Sequence, residues 1–124
     1  PSAIAAKLLE PKRPVLVVSG DGGFLMNAQE LETAVRLKLD LVILLLNDNG
    51  YGMIEWKQQS QNLPAFGLKF GNPDFVKFAE SHGVQGYRID DQVNLRGQIE
   101  KCFAQSGIHL IEFPINYSAY NYAS

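Results

Sequence analysis

The sequence lacks most of the features that mark specialised classes of protein. It has one cysteine, Cys102, in 124 residues. That excludes an internal disulfide framework and fits a reducing compartment, so a cytoplasmic location is expected. Neither sign of charge is in excess: 11 basic residues against 13 acidic give −2. Nothing there favours nucleic acid or an anionic membrane as a partner. The longest hydrophobic run, Leu41 to Leu46, is far too short to cross a bilayer. No secretory signal is visible at the N-terminus. An initiator methionine is absent too, and the opening Pro-Ser-Ala-Ile reads as a processed chain or a piece of something longer. No internal repeat, low-complexity tract or second domain stands out. What remains is the composition of an ordinary globular domain, 46% hydrophobic, with residues 1–124 around a single core.

The chain alternates short apolar runs with amphipathic ones. Ser2 to Glu10 reads as a helix with Ser2 as its cap. Pro14 to Ser19, PVLVVS, is β-branched and bounded by Pro14 and Gly20, so it reads as a strand. Asn27 to Lys38 is helical, with Ala28, Leu31 and Val35 on one face. Leu41 to Leu46 is apolar throughout, as expected of a central strand covered on both faces. A loop follows at Asn47 to Gly52, then a short helix from Met53 to Gln59 and an irregular excursion from Ser60 to Gly71. Asn72-Pro73 predicts a capped helix start, with Phe75, Phe78, Ala79 and His82 on one face. Val84 to Ile89 is a weak strand. Asp90 or Asp91 caps a helix that turns Leu95, Ile99, Cys102 and Phe103 inward. Ile108 to Phe113 is the last strand. Strands alternating with helices predict an α/β fold: an open, mainly parallel sheet with helices on both faces.

Two loops sit where such a sheet binds ligands, beyond the carboxyl ends of its strands. One is Gly20-Asp21-Gly22-Gly23 and the other is Asn47-Asp48-Asn49-Gly50. Either alone is often just a turn. Asp21 and Asp48 are 27 residues apart, a spacing that suits one strand-to-strand crossover returning to the same edge. Two carboxylates meeting there repel each other unless a cation joins them. Oxygen ligands without nearby cysteine or histidine favour magnesium or calcium over zinc. Magnesium keeps one or two carboxylates and fills its shell with waters and phosphates. Asp21 would then hold a metal that holds a phosphate, and the glycine amides would take the remaining phosphate oxygens. The pattern is neither a Walker motif nor the dinucleotide fingerprint.

GDGGFLMNAQELETAVRLKLDLVILLLNDNGYGMI resembles the thiamine diphosphate motif, in which GDG is followed after about 25 residues by an Asn-(Asn/Asp) pair. Pro1 to Gly23 and the helix FLMNAQELETAVR are similar to the corresponding stretches of acetolactate synthases and related 2-oxo acid decarboxylases and carboligases. The FPINYS segment resembles their last strand. The resemblance covers nearly the whole chain. It is more specific to the cofactor than to the substrate.

The resemblance implies that Asp21 and Asp48 are metal ligands through their side chains, Gly50 through its carbonyl, and that Mg2+ is the ion. Asp48 stands where many relatives carry Asn, a change of charge with the oxygen kept. It further implies that Gly20, Gly22 and Gly23 meet the diphosphate and that Tyr51, Gly52 and Met53 line the cofactor. The cofactor performs the carbon chemistry, decarboxylating a small 2-oxo acid such as pyruvate and passing the fragment to an acceptor. The glutamate that activates it belongs to a pyrimidine-binding domain of the same or a partner subunit. The chain is therefore expected to be the C-terminal diphosphate-binding piece of a longer homodimer or homotetramer, inactive alone and without a catalytic acid or base of its own. Any FAD would be carried by a domain outside this chain. Trp56 falls one residue short of the spacing of a tryptophan in the biosynthetic acetolactate synthases, and no substrate role is assigned to it. The alternatives are the same domain in another thiamine diphosphate enzyme, a 2-oxo acid decarboxylase, oxidase or other carboligase, and, from another class, a non-catalytic binding module of the same fold. Among the lesser signals, His82 suits a helix terminus, His109 a surface or partly buried position, and Cys102 a buried structural thiol. Glu55-Trp56-Lys57 suits a lid or a surface helix, and Tyr117, Tyr120 and Tyr122 suit packing on a neighbouring domain.

Overall fold

The computed structural model describes residues 1–116. The tail tyrosines Tyr117, Tyr120 and Tyr122 lie outside the described residues. The apolar run forms strand β2 (Leu41–Asn47), and its side chains divide by parity. Leu41, Ile43 and Leu45 enter one core cluster, Val42 and Leu44 the other. A strand buried on both faces must lie inside the sheet. β2 does: the order is β1 (Leu16–Gly20), β2, β4 (Ile108–Pro114), β3 (Gln85–Arg88), and every pairing is parallel.

Right-handed crossovers then decide where the helices go. The chain moves one way across the sheet from β1 to β2 and on to β3. The helices of those crossovers, α3 (Glu30–Arg36) and α5 (Phe75–Ser81), pack on the same face. They bury Leu31, Ala34, Phe75 and Ala79 against Leu41, Ile43, Leu45 and Leu110, with Ala3 and Ile4 of α1 (Ser2–Leu9) beside them. From β3 to β4 the chain steps back, so α6 (Gln92–Phe103) takes the opposite face. There Cys102 packs with Val42, Leu44 and Ile111.

Several local expectations need correction. Ser2 does not cap α1; Pro1 holds the N-cap position, with no side-chain cap bond. The helix expected over Asn27 to Lys38 is the shorter α3. It ends before Lys38, whose φ of 51° lies in the left-handed region. A separate helix, α2 (Asp21–Leu25), begins on the carboxylate itself. The glycine pair that follows is a poor helix former, consistent with its stopping after five residues. Asn72 does not cap α5. Asp74 does, accepting from Lys77 N at 3.3 Å. Asp91 rather than Asp90 caps α6, accepting from Val93 N at 2.8 Å. Phe103, at the end of α6, is exposed rather than inward. His109 is fully buried, because β4 runs between β2 and β3 and is not an edge strand. Cys102 is a buried thiol, as expected.

Candidate functional site

The β1–β2 register pairs Gly20 with Leu46, so both chains leave the sheet at the same edge, one at Asp21 and the other at Asn47-Asp48. Asp21 is 2% exposed. Its Oδ1 accepts from Gly22 N at 2.8 Å and its Oδ2 from Asn72 Nδ2 at 2.6 Å. The second loop is shaped by its own side chains. Asn47 Oδ1 accepts from Asn49 N at 3.0 Å, and Asp48 Oδ1 from Gly50 N at 3.1 Å. Each is a side-chain oxygen folding over the amide two residues on, the usual reason Asn and Asp build turns. Asn49 accordingly adopts φ 57°, a conformation Asn tolerates.

The two carboxylates converge. Burial pushes the Asp48 carboxyl above the ordinary range, and the Asp21 charge adds to it, against a lowering by Gly50 N–H. Among the described residues no Lys or Arg forms an ion pair with either. Among the described residues no third His, Cys, Asp or Glu joins them into a complete protein-only cage. Two facing carboxylates with oxygen neighbours and no counter-charge suit a hard cation that completes its shell with non-protein oxygens. The residues present therefore fit a magnesium-diphosphate group.

The glycines differ in what they permit. A Cβ on Gly22 would lie 2.6 Å from Tyr51 Cε1, so only glycine lets the Tyr51 ring close over this turn. A Cβ on Gly50 would lie 3.0 Å from Leu68 O, where the 60–71 excursion backs the loop. Tyr51 N donates to Leu68 O at 2.9 Å, and the Tyr51 ring packs on Phe70 with centroids 4.6 Å apart. The excursion is irregular, as expected, yet it buttresses the site. Gly20 and Gly23 have no such close neighbour. The Gly22 amide is already engaged by Asp21. Gly52 opens α4 (Gly52–Ser60), and Met53 beside it is 76% exposed. A cleft lined by Asp48, Gly50, Gly52, Glu55 and Lys69 runs alongside.

Three further residues belong to the neighbourhood without having been foreseen. Asn72 Nδ2 reaches Asn47 Oδ1 at 2.9 Å and Asn49 Oδ1 at 3.4 Å, besides Asp21. Asn47 Nδ2 donates to Glu112 Oε1 at 2.8 Å, and Glu112 Oε2 takes Arg88 Nε at 2.9 Å. Glu112 is buried, so its charge requires this pairing. Asn72-Pro73 was legible only as a helix start, and Glu112 only as a polar residue within an apolar strand.

Fold and site together define a parallel α/β ligand-binding domain with its acidic loops at the carboxyl edge. Residues 1–113 match the family described as thiamine pyrophosphate enzyme, C-terminal TPP binding domain, and the chain belongs to that family. It is 42% identical over 118 residues to an acetolactate synthase of Bacillus subtilis, covering 95% of this chain and 21% of that protein. It is 37% identical over 117 residues to a catabolic acetolactate synthase of Raoultella terrigena, covering 94% and 21%. A thiamine diphosphate-dependent 4-hydroxybenzoylformate decarboxylase of Rhodococcus jostii superimposes with a TM-score of 0.88 at 28% identity, over 96% of this chain and 23% of that one. The chain is thus a C-terminal thiamine diphosphate-binding domain by family, and it spans about a fifth of the acetolactate synthases it matches.

Proposed function

We propose that these residues hold the magnesium-diphosphate end of thiamine diphosphate within an enzyme that decarboxylates a 2-oxo acid such as pyruvate and joins the fragment to a second 2-oxo acid. The observation that carries the metal is the register that brings Asp21 and Asp48 to one edge of the sheet, with no Lys or Arg ion-paired to either among the described residues. In this reading Asp21 and Asp48 give side-chain oxygens to the ion, and Gly50 gives its carbonyl. Gly20, Gly22 and Gly23 flank the diphosphate. Gly23 is better placed to offer its amide, since Gly22 N–H is committed to Asp21. Tyr51, Gly52 and Met53 border the cofactor, with the exposed Met53 available to it.

When bound, the cofactor supplies the nucleophilic carbon that attacks the 2-oxo acid and takes up the charge left by carbon dioxide. This chain's task is to bind and orient it. The activating glutamate would come from a pyrimidine-binding domain of the same or a partner subunit, in a homodimer or homotetramer, and any FAD from a further domain. Residues 1–124 are then one diphosphate-binding domain of a longer, cytoplasmic enzyme. No helix of the described residues is long and apolar enough to cross a membrane. The likeness to a decarboxylase supports a second reading in which only the substrate differs.

Trp56 is the only tryptophan and lies on α4 beside the site, so it serves as the reporter. Titrating thiamine diphosphate with magnesium, and again with chelator, is expected to change its fluorescence only with the metal. Asp48→Ala is expected to abolish the response. A response that ignores magnesium, or survives in that variant, refutes the metal assignment. Silence in the full-length enzyme refutes the cofactor assignment.

A further inference from the structure

We propose that Asn72 is a positioning residue of this half-site, a cross-tie that sets the separation of the two metal-binding loops before the cofactor arrives. The inference rests on the magnesium-diphosphate reading above. It goes beyond that reading by assigning a role to a residue outside both motif loops.

The argument begins with what faces the Asn72 amide. Its Nδ2 lies 2.6 Å from Asp21 Oδ2, 2.9 Å from Asn47 Oδ1 and 3.4 Å from Asn49 Oδ1. A primary amide nitrogen has two hydrogens, so the two shorter contacts take them and the third is left long. One hydrogen therefore goes to the β1 loop and the other to the β2 loop. The orientation is fixed independently. Asn47 cannot turn its amide round, because its own Nδ2 is held by the buried Glu112 carboxylate, which is held in turn by Arg88. Asn47 must present Oδ1, and Asn72 must answer with nitrogen.

The other end of the same side chain shows that the tie is made at a cost. Asn72 Oδ1 is buried and has no hydrogen-bond partner among the described residues. An unmet buried acceptor is unfavourable, and a residue chosen for local stability alone would avoid it. Turning the amide over would satisfy nothing, since it would set an oxygen against three oxygens. The arrangement makes sense if holding Asp21 and Asn47 together matters more than satisfying Oδ1.

The consequence concerns geometry. Asp21 has both oxygens directed, Oδ1 by Gly22 N–H and Oδ2 by Asn72. Through Asn47, the same tie sets the start of the turn that presents Asp48. Groups that orient ligands in this way typically contribute about tenfold to a hundredfold in metal affinity.

The test measures the ion rather than turnover. In the full-length enzyme, Mn2+ standing in for Mg2+ is titrated with thiamine diphosphate present and read by electron paramagnetic resonance, with thermal unfolding of the apo-protein alongside. Asn72→Ala is expected to weaken the Mn2+ Kd about tenfold to a hundredfold. Asp48→Ala, which removes a direct ligand, is expected to weaken it more. Should the alanine variant not fold, Asn72→Ser is measured the same way. Its single hydroxyl hydrogen can tie only one loop, so it too is expected to weaken the ion. If Asn72→Ala or Asn72→Ser lowers only the apo unfolding temperature while the Mn2+ Kd stays at the wild-type value, Asn72 is structural and the proposal is overturned. If Asp48→Ala also leaves the Kd unchanged, the metal reading itself has failed, and the positioning role falls with it.

Discussion

A methyl group at Gly22 would meet the Tyr51 ring at 2.6 Å, whereas at Gly23 the nearest atom, Ser19 Oγ, would be 3.5 Å away. Both glycines lie in α2, where replacing glycine by alanine gains up to about 1 kcal/mol in helix propensity. At Gly23 nothing opposes that gain. At Gly22 it is opposed by overpacking of about 1–3 kcal/mol, because the Tyr51 ring that the methyl would meet is packed on Phe70, whose Cζ would itself lie 3.4 Å from the methyl. Opposite signs are therefore expected in chemical denaturation of the apo-protein, with Gly23→Ala slightly more stable than wild type and Gly22→Ala less stable. Cofactor affinity should fall in both, at Gly22 through the displaced Tyr51 and at Gly23 through crowding where the diphosphate is proposed to lie. Equal stability changes would show that the Tyr51 contact does not govern this turn. Tight cofactor binding by a stabilised Gly23→Ala would remove Gly23 from the diphosphate.

Helix α5 hangs on Asp74. Its carboxylate accepts from Lys77 N at the first turn and pairs with Arg88 at 3.3 Å. The Lys77 amide is the main reason the Asp74 carboxyl titrates below its ordinary range, with the Arg88 and Lys77 charges adding to it. A carboxyl whose folded pKa lies below its unfolded one stabilises the protein above the unfolded value and stops doing so as pH falls through the folded one. Asp74→Ala is thus expected to unfold at a lower temperature at pH 7. The gap to wild type should close once the pH is well below about 4. A gap of the same size at pH 7 and pH 3 would mean that the carboxylate charge is not what caps the helix. The misreading of this helix start shows where sequence reasoning stops. β2 was legible because a run of six apolar residues, too short for a typical helix and closed by the turn residues Asn47 to Gly50, suits an interior strand. Asp21 and Asp48 were legible because their spacing matches one crossover. Asn72 was not, because its function lies 51 positions away at Asp21 and nothing local distinguishes it from a cap. His109 was misjudged for a similar reason: strand order, which decides whether β4 is an edge, is a property of the whole sheet.

Apolar side chains stand exposed at several places on the described surface. β1 is an edge strand. Its Leu16 and Val18 pair in register with Val42 and Leu44, so they face the side that α6 covers further along the sheet. They remain 41% and 58% exposed. Met53 and Ile54 on α4 and Phe66 in the excursion are exposed too, next to the proposed cofactor position. A strand edge and an apolar face left open together favour association with other protein surface. On the proposed reading, that surface would meet the other domains of a longer enzyme; the chain spans about a fifth of the relatives it matches. Two outcomes are expected of the 124-residue chain on its own. Light scattering coupled to size exclusion should show mass rising with concentration, and substituting Leu16 and Val18 by Thr should reduce that rise. No release of carbon dioxide from pyruvate should be detected, even with saturating magnesium and thiamine diphosphate, because in the proposed reading the activating glutamate belongs to a pyrimidine-binding domain outside this chain. A chain that stayed monomeric at every concentration would remove the argument from exposed surface. A chain that decarboxylated pyruvate unaided would overturn the division of labour between the two halves of the cofactor site, and the search for an acid or base would then turn to Glu55, which lines the cleft beside Asp48.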